Sequence, residues 1–469
     1  FYTKNNNYYI FSSQLDGLFV DKKSSMKISK KNLKKYYAYS YVPSPNTLFE
    51  NVFQVEPGEN IKINAESLNI EKNKYWDLNN GADFNIFFEK TSKENFNVEF
   101  KKIIDQHSIA DKKPALSLSG GLDSYLVMDY FTKAQDNITS FTLGFNNKTF
   151  DESDYVKKIN KKFDKKIFYA DDDELEKSFL KLSKLLSEPI ADSSILPTYI
   201  INDKIKNYSN VSLSGDGGDE AFFGYITFDA FYLAIGLKKI FPKFIFSFIK
   251  KFLNLFRVSY DYLTLSTKLK KFFNFINLDK KYLLPAWMGC LSIKEMNYLF
   301  NDDNTYEKIY DDLNIVFENN KNVMRNSQLY YYKFYLPMVL IKVDQASMFN
   351  SVENRSPFLS KRIINFSLDQ DINELYRFLN KKLFLKKTFN NTIPKSVLNR
   401  KKHGFAFPKE KILFNKKLIE NLVDDNLLLN KDFFKEKYNN FLNKKDDCSQ
   451  YIWTELMLNL SLQNLNKNR

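Results

Sequence analysis

Apolar and polar positions divide this chain into three stretches of different period. Up to about residue 80 they alternate in short runs that predict strands. Tyr8-Tyr9-Ile10-Phe11 runs into Ser12-Ser13, and Asn51-Val52-Phe53-Gln54-Val55 and Asn60-Ile61-Lys62-Ile63 flank Glu56-Pro57-Gly58-Glu59. Pro57 presets φ at the first central turn position and Gly58 accepts a positive φ at the second, so this segment reads as a tight turn between paired strands. A polar patch from Asn79 to Ala82 offers a linker. From about Lys93 the period lengthens: Phe96, Val98, Phe100, Ile103 and Ile104 predict an amphipathic helix ending near Asp111.

The middle stretch alternates strand and helix. Ala115 to Leu118 is a short apolar run before a glycine turn, Ser124 to Phe131 is helical, Ile138 to Phe145 is a strand, and Asp151 to Phe163 is helical. Lys166 to Ala170 and Asn210 to Leu213 are further strands, separated by the helical stretch Asp173 to Leu186. Alternation at this spacing implies an α/β fold with a parallel sheet covered on both faces. Ligands of such sheets sit at the carboxyl ends of the strands. Beyond Tyr225 the pattern is helical nearly to the end, and its regularly spaced aromatics are expected in the core.

Composition narrows the class. A length of 469 residues suits two or three domains, and 43% hydrophobic with 27% charged residues argues against wholesale disorder. The net charge of +14 invites a nucleic-acid or membrane reading. Only seven of the 70 basic residues are arginine, however, and the lysines are scattered in pairs among Asn, Ile, Phe and Tyr. That is a diffuse bias rather than a phosphate-binding face built with arginine forks. Cys290 and Cys448 exclude a disulfide framework, and with only His107 and His403 beside them no zinc spacing exists. The Phe-rich stretch Phe228 to Phe256 is cut by Asp229, Lys238, Lys239, Lys243, Lys250 and Lys251, short of the ~20 apolar residues of a spanning helix. Without a basic region and apolar core at the N-terminus, the expected location is cytoplasmic.

Glycine carries the candidate chemistry. There are 13, and five fall in Ser119-Gly120-Gly121-Leu122-Asp123-Ser124 and Ser214-Gly215-Asp216-Gly217-Gly218-Asp219-Glu220, each directly after a predicted strand. Unencumbered N–H groups at a strand-to-helix turn, with the partial positive charge of a helix N-terminus, make an anion cradle. Asp123 and Asp219 on such loops make sense when Mg2+ bridges them to phosphate oxygens. Neither loop is a dinucleotide fingerprint or a Walker A motif.

Ser119 to Ser124 resembles the pyrophosphate loop of the N-type ATP pyrophosphatases. Ser214 to Glu220, continuing through Phe223-Gly224-Tyr225, resembles the second signature of one branch, the glutamine-hydrolysing asparagine synthetases. Further matches follow in order at Ser187 to Asp192, Lys342 to Met348, Glu353 to Leu359 and Asn399 to Phe405. Upstream, Tyr41 to Pro45, Glu56-Pro57-Gly58 and Tyr75 to Leu78 resemble the end of that family's glutaminase domain. The resemblance implies two domains. Residues 1–80 would be the β-rich C-terminal part of an N-terminal nucleophile glutaminase, and residues 92–466 a parallel-sheet, adenine-nucleotide α-hydrolase-like (PP-loop) synthetase with a largely helical C-terminal part. It also implies the chemistry: a side-chain carboxylate, that of aspartate in asparagine biosynthesis, attacks the α-phosphorus of ATP to give an acyl-adenylate and pyrophosphate, and ammonia displaces AMP.

The same resemblance assigns roles. Leu118, Leu143, Ser214 and Gly215 would hold the adenosine of ATP, and Ser119, Gly120, Gly121, Asp123 and Ser124 its phosphates. Asp123 and Asp219 would hold Mg2+. Lys402, beside Arg400, would neutralise charge at the reacting phosphorus. Asp216 stands where asparagine synthetases often have glutamate, and is one methylene shorter. Either catalysis suffers from the retreat, or the chain belongs to a branch acting on another acid, such as a sugar carboxylate in surface-polysaccharide synthesis. Asp344, Glu353 and Arg355 form a polar run facing either the substrate or, for the last two, each other as an ion pair. The family's glutaminase uses an N-terminal cysteine, whereas residue 1 here is Phe, and Gln14 stands where Glu is usual. The expectation is therefore a truncated glutaminase and amide formation from free ammonia. Expected partners are small molecules, with no nucleic acid and no membrane, and a homodimer is compatible with the sequence. The competing classes are an RNA-directed enzyme of the same ATP pyrophosphatase group and a non-catalytic scaffold.

Overall fold

The computed structural model describes residues 1–5, 7–20, 26–78, 93–159, 163–253, 255, 264–317, 322–400 and 404–467. At the N-terminus, strands β1 (Tyr2–Asn5), β2 (Tyr8–Phe11) and β3 (Val52–Phe53) form a small antiparallel sheet in the order β2-β1-β3. Strands β4 (Glu59–Ile63) and β5 (Ile70–Lys74) pair separately. The turn at Pro57-Gly58 exists, with the Glu59 N–H donating to the Glu56 carbonyl and Gly58 at φ +73°. It does not join paired strands, which corrects the reading from the local pattern. Val52 and Phe53 bond instead to Thr3 and Tyr2, far away in sequence, so a turn signal alone could not choose the partner.

The first eighty residues are also not all strand. Helix Lys30–Tyr39 starts at Ser29, whose side chain accepts from the Asn32 N–H, and it buries Leu33, Tyr36, Tyr37 and Tyr39. Two lysine pairs mask that period in the sequence. Tyr36 donates to the Thr454 carbonyl and Tyr37 to Glu455 at 2.5 Å, so this helix is fastened to the C-terminal helix Ser449–Lys467. Glu188 makes a second tie. It accepts from Gln54 Nε2 at 2.9 Å and Gln345 Nε2 at 3.3 Å, and burial pushes its carboxyl up to about 7. One contiguous core accordingly runs from Leu15 to Leu465.

The centre is a five-stranded parallel sheet of β6 (Ala115–Ser117), β7 (Thr139–Phe145), β8 (Asp164–Ala170), β9 (Val211–Leu213) and β10 (Glu353–Arg355), in the order β10-β9-β6-β7-β8. Every residue of β7 is buried. The predicted strands are thus present and parallel. The fifth, Glu-Asn-Arg, has no apolar signature, because an edge strand needs only backbone pairing on one side. The predicted helix from Asp151 is short, Ser153–Lys157, with residues 160–162 outside the described set, as is the linker at 79–82. From β6 the chain winds to β7 and β8 on one side and then places β9 on the other. That reversal opens a crevice at the carboxyl ends of β6 and β9, where ligands of open α/β sheets sit.

Candidate active site

Both glycine loops emerge into this crevice. After β6 the chain turns through Ser119 and Gly120 (φ +71°) into helix Leu122–Ala134. The first intrahelical bond runs from the Tyr125 N–H to the Gly121 carbonyl, so the amides of Leu122, Asp123 and Ser124 precede the helical ladder. Within the loop Ser119 Oγ accepts from the Gly121 N–H at 3.3 Å and lies 3.1 Å from Ser124 Oγ. Arg400 braces it from behind. Nη1 donates to the Ser119 carbonyl at 2.9 Å, Nη2 pairs with Glu152, and the guanidinium lies 3.9 Å over the Tyr155 ring. Glycine suits position 120, where φ is +71° and a Cβ would stand 2.8 Å from Arg400 Nη1 and 3.1 Å from the Tyr155 Cβ.

The second loop leaves β9 at Ser214 and lies directly on the first: a Cβ at Gly215 would stand 2.6 Å from the Ser124 nitrogen. This contact brings Asp219 up to Asp123. Both carboxylates are buried and converge on one ammonium, that of Lys382, which pairs with Asp123 and lies 2.6 Å from Asp219 Oδ1. Lys382 is itself buried, sits at φ +55°, and is anchored by its N–H to the Phe222 carbonyl at 3.0 Å. Two buried carboxylates focused on a single cation form a hard-oxygen donor pair of the kind Mg2+ takes. Lys382 marks the position such charge fills. Among the described residues no group of three or more His, Cys, Asp or Glu could hold a metal alone, so a cation here would draw its remaining ligands from phosphate oxygens and water.

The cleft of about 220 Å3 brings together Leu118, Ser119, Gly121, Asp123, Ser124, Leu143, Ser214, Gly215, Asp216 and Asp219, while Gly120 lies behind its wall against Arg400. Asp216 Oδ2 accepts from Ser214 Oγ at 2.8 Å, and that hydroxyl lies 2.7 Å from Ser356 Oγ. The three substrate-side candidates, Asp344, Glu353 and Arg355, do not line the cleft. Asp344 is exposed on helix Leu336–Met348, which turns Lys342 into the cleft instead. Arg355 pairs with Glu353 at 2.7 Å and donates to the carbonyls of His107 and Ile109, joining β10 to the end of helix Lys93–His107. Lys402 lies outside the described residues.

Two groups escape sequence reasoning. Lys382, with Lys381 and Lys386 also on the cleft, was hidden by the lysine-rich background. Glu220 follows Asp219 in the second loop, so its signal was available. It is buried, accepts from Tyr225 at 2.7 Å, and burial beside Asp219 pushes its carboxyl up to about 7. An unfolded glutamate with its ordinary value of 4.5 ionises before the folded one, so stability present below pH 4.5 is lost as pH rises through 7. Glu220→Gln is expected to remove that share of the pH dependence, on the order of 3 kcal/mol between the two limits. Urea unfolding of both proteins across this range checks it, and parallel profiles would refute it.

A parallel sheet whose topological switch carries two glycine loops with converging carboxylates defines the PP-loop class of nucleotide-binding domain. Sequence comparison carries the assignment further: the chain matches asparagine synthase over residues 96–463, and belongs to that family. Residues 1–76 match a glutamine amidotransferase domain. A putative asparagine synthetase [glutamine-hydrolyzing] 2 of Methanocaldococcus jannaschii is 32% identical over 255 residues, covering 52% of this chain and 48% of that protein. Asparagine synthetase [glutamine-hydrolyzing] 1 of Bacillus subtilis is 26% identical over 471 aligned positions, covering 97% and 72%. A putative asparagine synthetase [glutamine-hydrolyzing] of Mycobacterium tuberculosis is 24% identical over 398 residues, covering 81% and 58%. The chain thus spans between about half and three quarters of the length of these relatives.

Proposed function

We propose that this chain catalyses ATP-dependent amidation of a side-chain carboxylate, with aspartate the first acceptor to consider. The carboxylate oxygen attacks the α-phosphorus and pyrophosphate departs. Ammonia then attacks the acyl carbon and AMP leaves with the acyl C–O bond electrons, while the nitrogen loses a proton. The observation that supports this reading is the meeting of Asp123 and Asp219 at the first turn of helix Leu122–Ala134, where the amides of Leu122, Asp123 and Ser124 precede the helical ladder. Those amides suit the leaving pyrophosphate. Asp123 and Asp219 are the residues that would hold Mg2+, which supplies neutralisation of phosphate charge. Leu118, just past β6, and Leu143, within β7, both on the cleft, offer an apolar seat for adenine, and Lys402 is assigned to the reacting phosphorus by its motif alone. Asp216, which accepts from the Ser214 hydroxyl, is the carboxylate we assign to taking the proton released by ammonia.

The shorter Asp216 favours testing a second acceptor class, uronic acids, in the same experiment. The full chain is incubated with ATP, Mg2+, ammonium and one carboxylic acid at a time, and pyrophosphate and amide are measured. Aspartate is expected to release pyrophosphate and yield asparagine in equal amounts. Release with a uronic acid alone would move the substrate to sugars. No release with any acceptor, together with failure to bind ATP and Mg2+, would leave only a scaffold.

A further inference from the structure

We propose that the helical hairpin following the second glycine loop docks on a bilayer surface rich in anionic headgroups. Helix Ile226–Ile240 begins beside the cleft with Phe228, Phe231 and Ala234 buried. Its far end emerges: Ile240 is 72% exposed, and a Cβ at Gly236 would meet nothing within 4 Å. The next helix, Lys243–Leu253, turns Ile245, Phe246, Ile249 and Leu253 inward, with the Phe246 ring 6.3 Å from Phe273 of helix Leu265–Phe275. Phe244 and Phe248 point outward at i, i+4 spacing, 72% and 74% exposed. Single exposed apolar residues are ordinary, but a phenylalanine row continued by Ile240 and Phe241 forms a patch that marks an interaction site.

Charge selects the occupant. The described residues between 230 and 275 include Lys238, Lys239, Lys243, Lys250, Lys251, Lys268, Lys270 and Lys271 and no Asp or Glu. A second copy of this chain, docked patch to patch, would set lysines against lysines. An anionic bilayer satisfies both features, since the rings enter the boundary between headgroups and acyl chains while the nearby lysines are drawn to the negative surface. The lysines that disqualify this stretch from spanning are therefore those that suit it to lie on a surface. Segment Gly218–Ile240 is long and apolar enough to cross a bilayer by composition, but 50% of its apolar window is buried inside the protein, so crossing would expose the core.

The test uses the full chain with sedimented vesicles of phosphatidylcholine, with and without phosphatidylglycerol. Binding is expected only with phosphatidylglycerol, and should weaken on raising salt from ~0.1 M to ~0.5 M as the screening length shrinks. The double variant F244S/F248S should bind at least about tenfold more weakly, as should K243E/K250E, with both melting like the parent because the sites are exposed. Equal binding to pure phosphatidylcholine, no binding to either, or unchanged binding by both variants would overturn the proposal. Self-association abolished by F244S/F248S in the absence of vesicle binding would also overturn it, and would make a second copy the occupant.

Discussion

Asp123→Asn and Asp219→Asn are each expected to abolish acceptor-dependent exchange of pyrophosphate into ATP, by about a thousandfold or more. The size follows from where the carboxylates lie. In a water-excluded site, fixed charge acting on the departing pyrophosphate contributes several kcal/mol of transition-state stabilisation, and each ~1.4 kcal/mol is a factor of ten. Either amide would keep the shape of the loop and remove half of the negative charge focused on one point. Folding should survive, because Lys382 keeps the other aspartate as its partner. Asp344→Asn, on the exposed face of helix Leu336–Met348, serves as the control and should leave exchange unchanged. Full exchange in both Asp123→Asn and Asp219→Asn would show that these carboxylates do not hold the cation.

Lys382→Met reverses the experiment by leaving two buried carboxylates without their ammonium. Breaking a buried ion cluster from one side destabilises by about 3–5 kcal/mol, far more than the net gain from forming it. The variant should therefore melt well below the parent in metal-free buffer. Mg2+ should then raise its melting temperature much more than that of the parent, because a cation binding only the native state stabilises it by mass action and here meets no resident ammonium. Thermal melts of both proteins against Mg2+ concentration measure this without any turnover. A variant that melts like the parent would mean that the carboxylates are neutral or otherwise compensated. A destabilised variant indifferent to Mg2+ would mean that they do not form a cation site.

Together the three substitutions separate cation binding from phosphate binding. Asp123 and Asp219 contribute to both the stability and the charge of the site, whereas Lys382 opposes a second cation in the same place. Under the proposed assignment of Mg2+ to Asp123 and Asp219, binding the cation would require the Lys382 ammonium to move or to share the aspartates with it. The left-handed backbone at Lys382 fixes where its side chain starts, so the adjustment falls on the side chain.

Much of this was written in the local sequence. The strand–helix alternation from Ala115 to Leu213 determined a parallel sheet, since continuous apolar strands joined by helices bury only in that way. Scarce glycines concentrated after two of its strands determined where backbone could approach a phosphate, and Asp123, Asp219 and Asp216 were legible as part of those loops. Glu220 lies one residue beyond Asp219 in the same loop, yet its place was not legible, because a carboxyl's burial is not a property of its neighbours in sequence.

What tertiary structure alone decided is which distant groups meet. Lys382 lies 259 residues from Asp123, in a chain where lysine is the commonest background, so neither spacing nor residue type could single it out. The polar strand Glu353–Arg355 joins the sheet through backbone bonds to Val211–Leu213, and Arg355 turns away from the cleft to cap a helix end, which removes it from the site the motif suggested. Helix Lys30–Tyr39, masked by its lysines, is tied through Tyr36 and Tyr37 to the C-terminal helix more than 400 residues away. Local pattern reports which face of an element wants burial. The partner that buries it, and the charge that balances a carboxylate inside, are set only when the chain closes on itself.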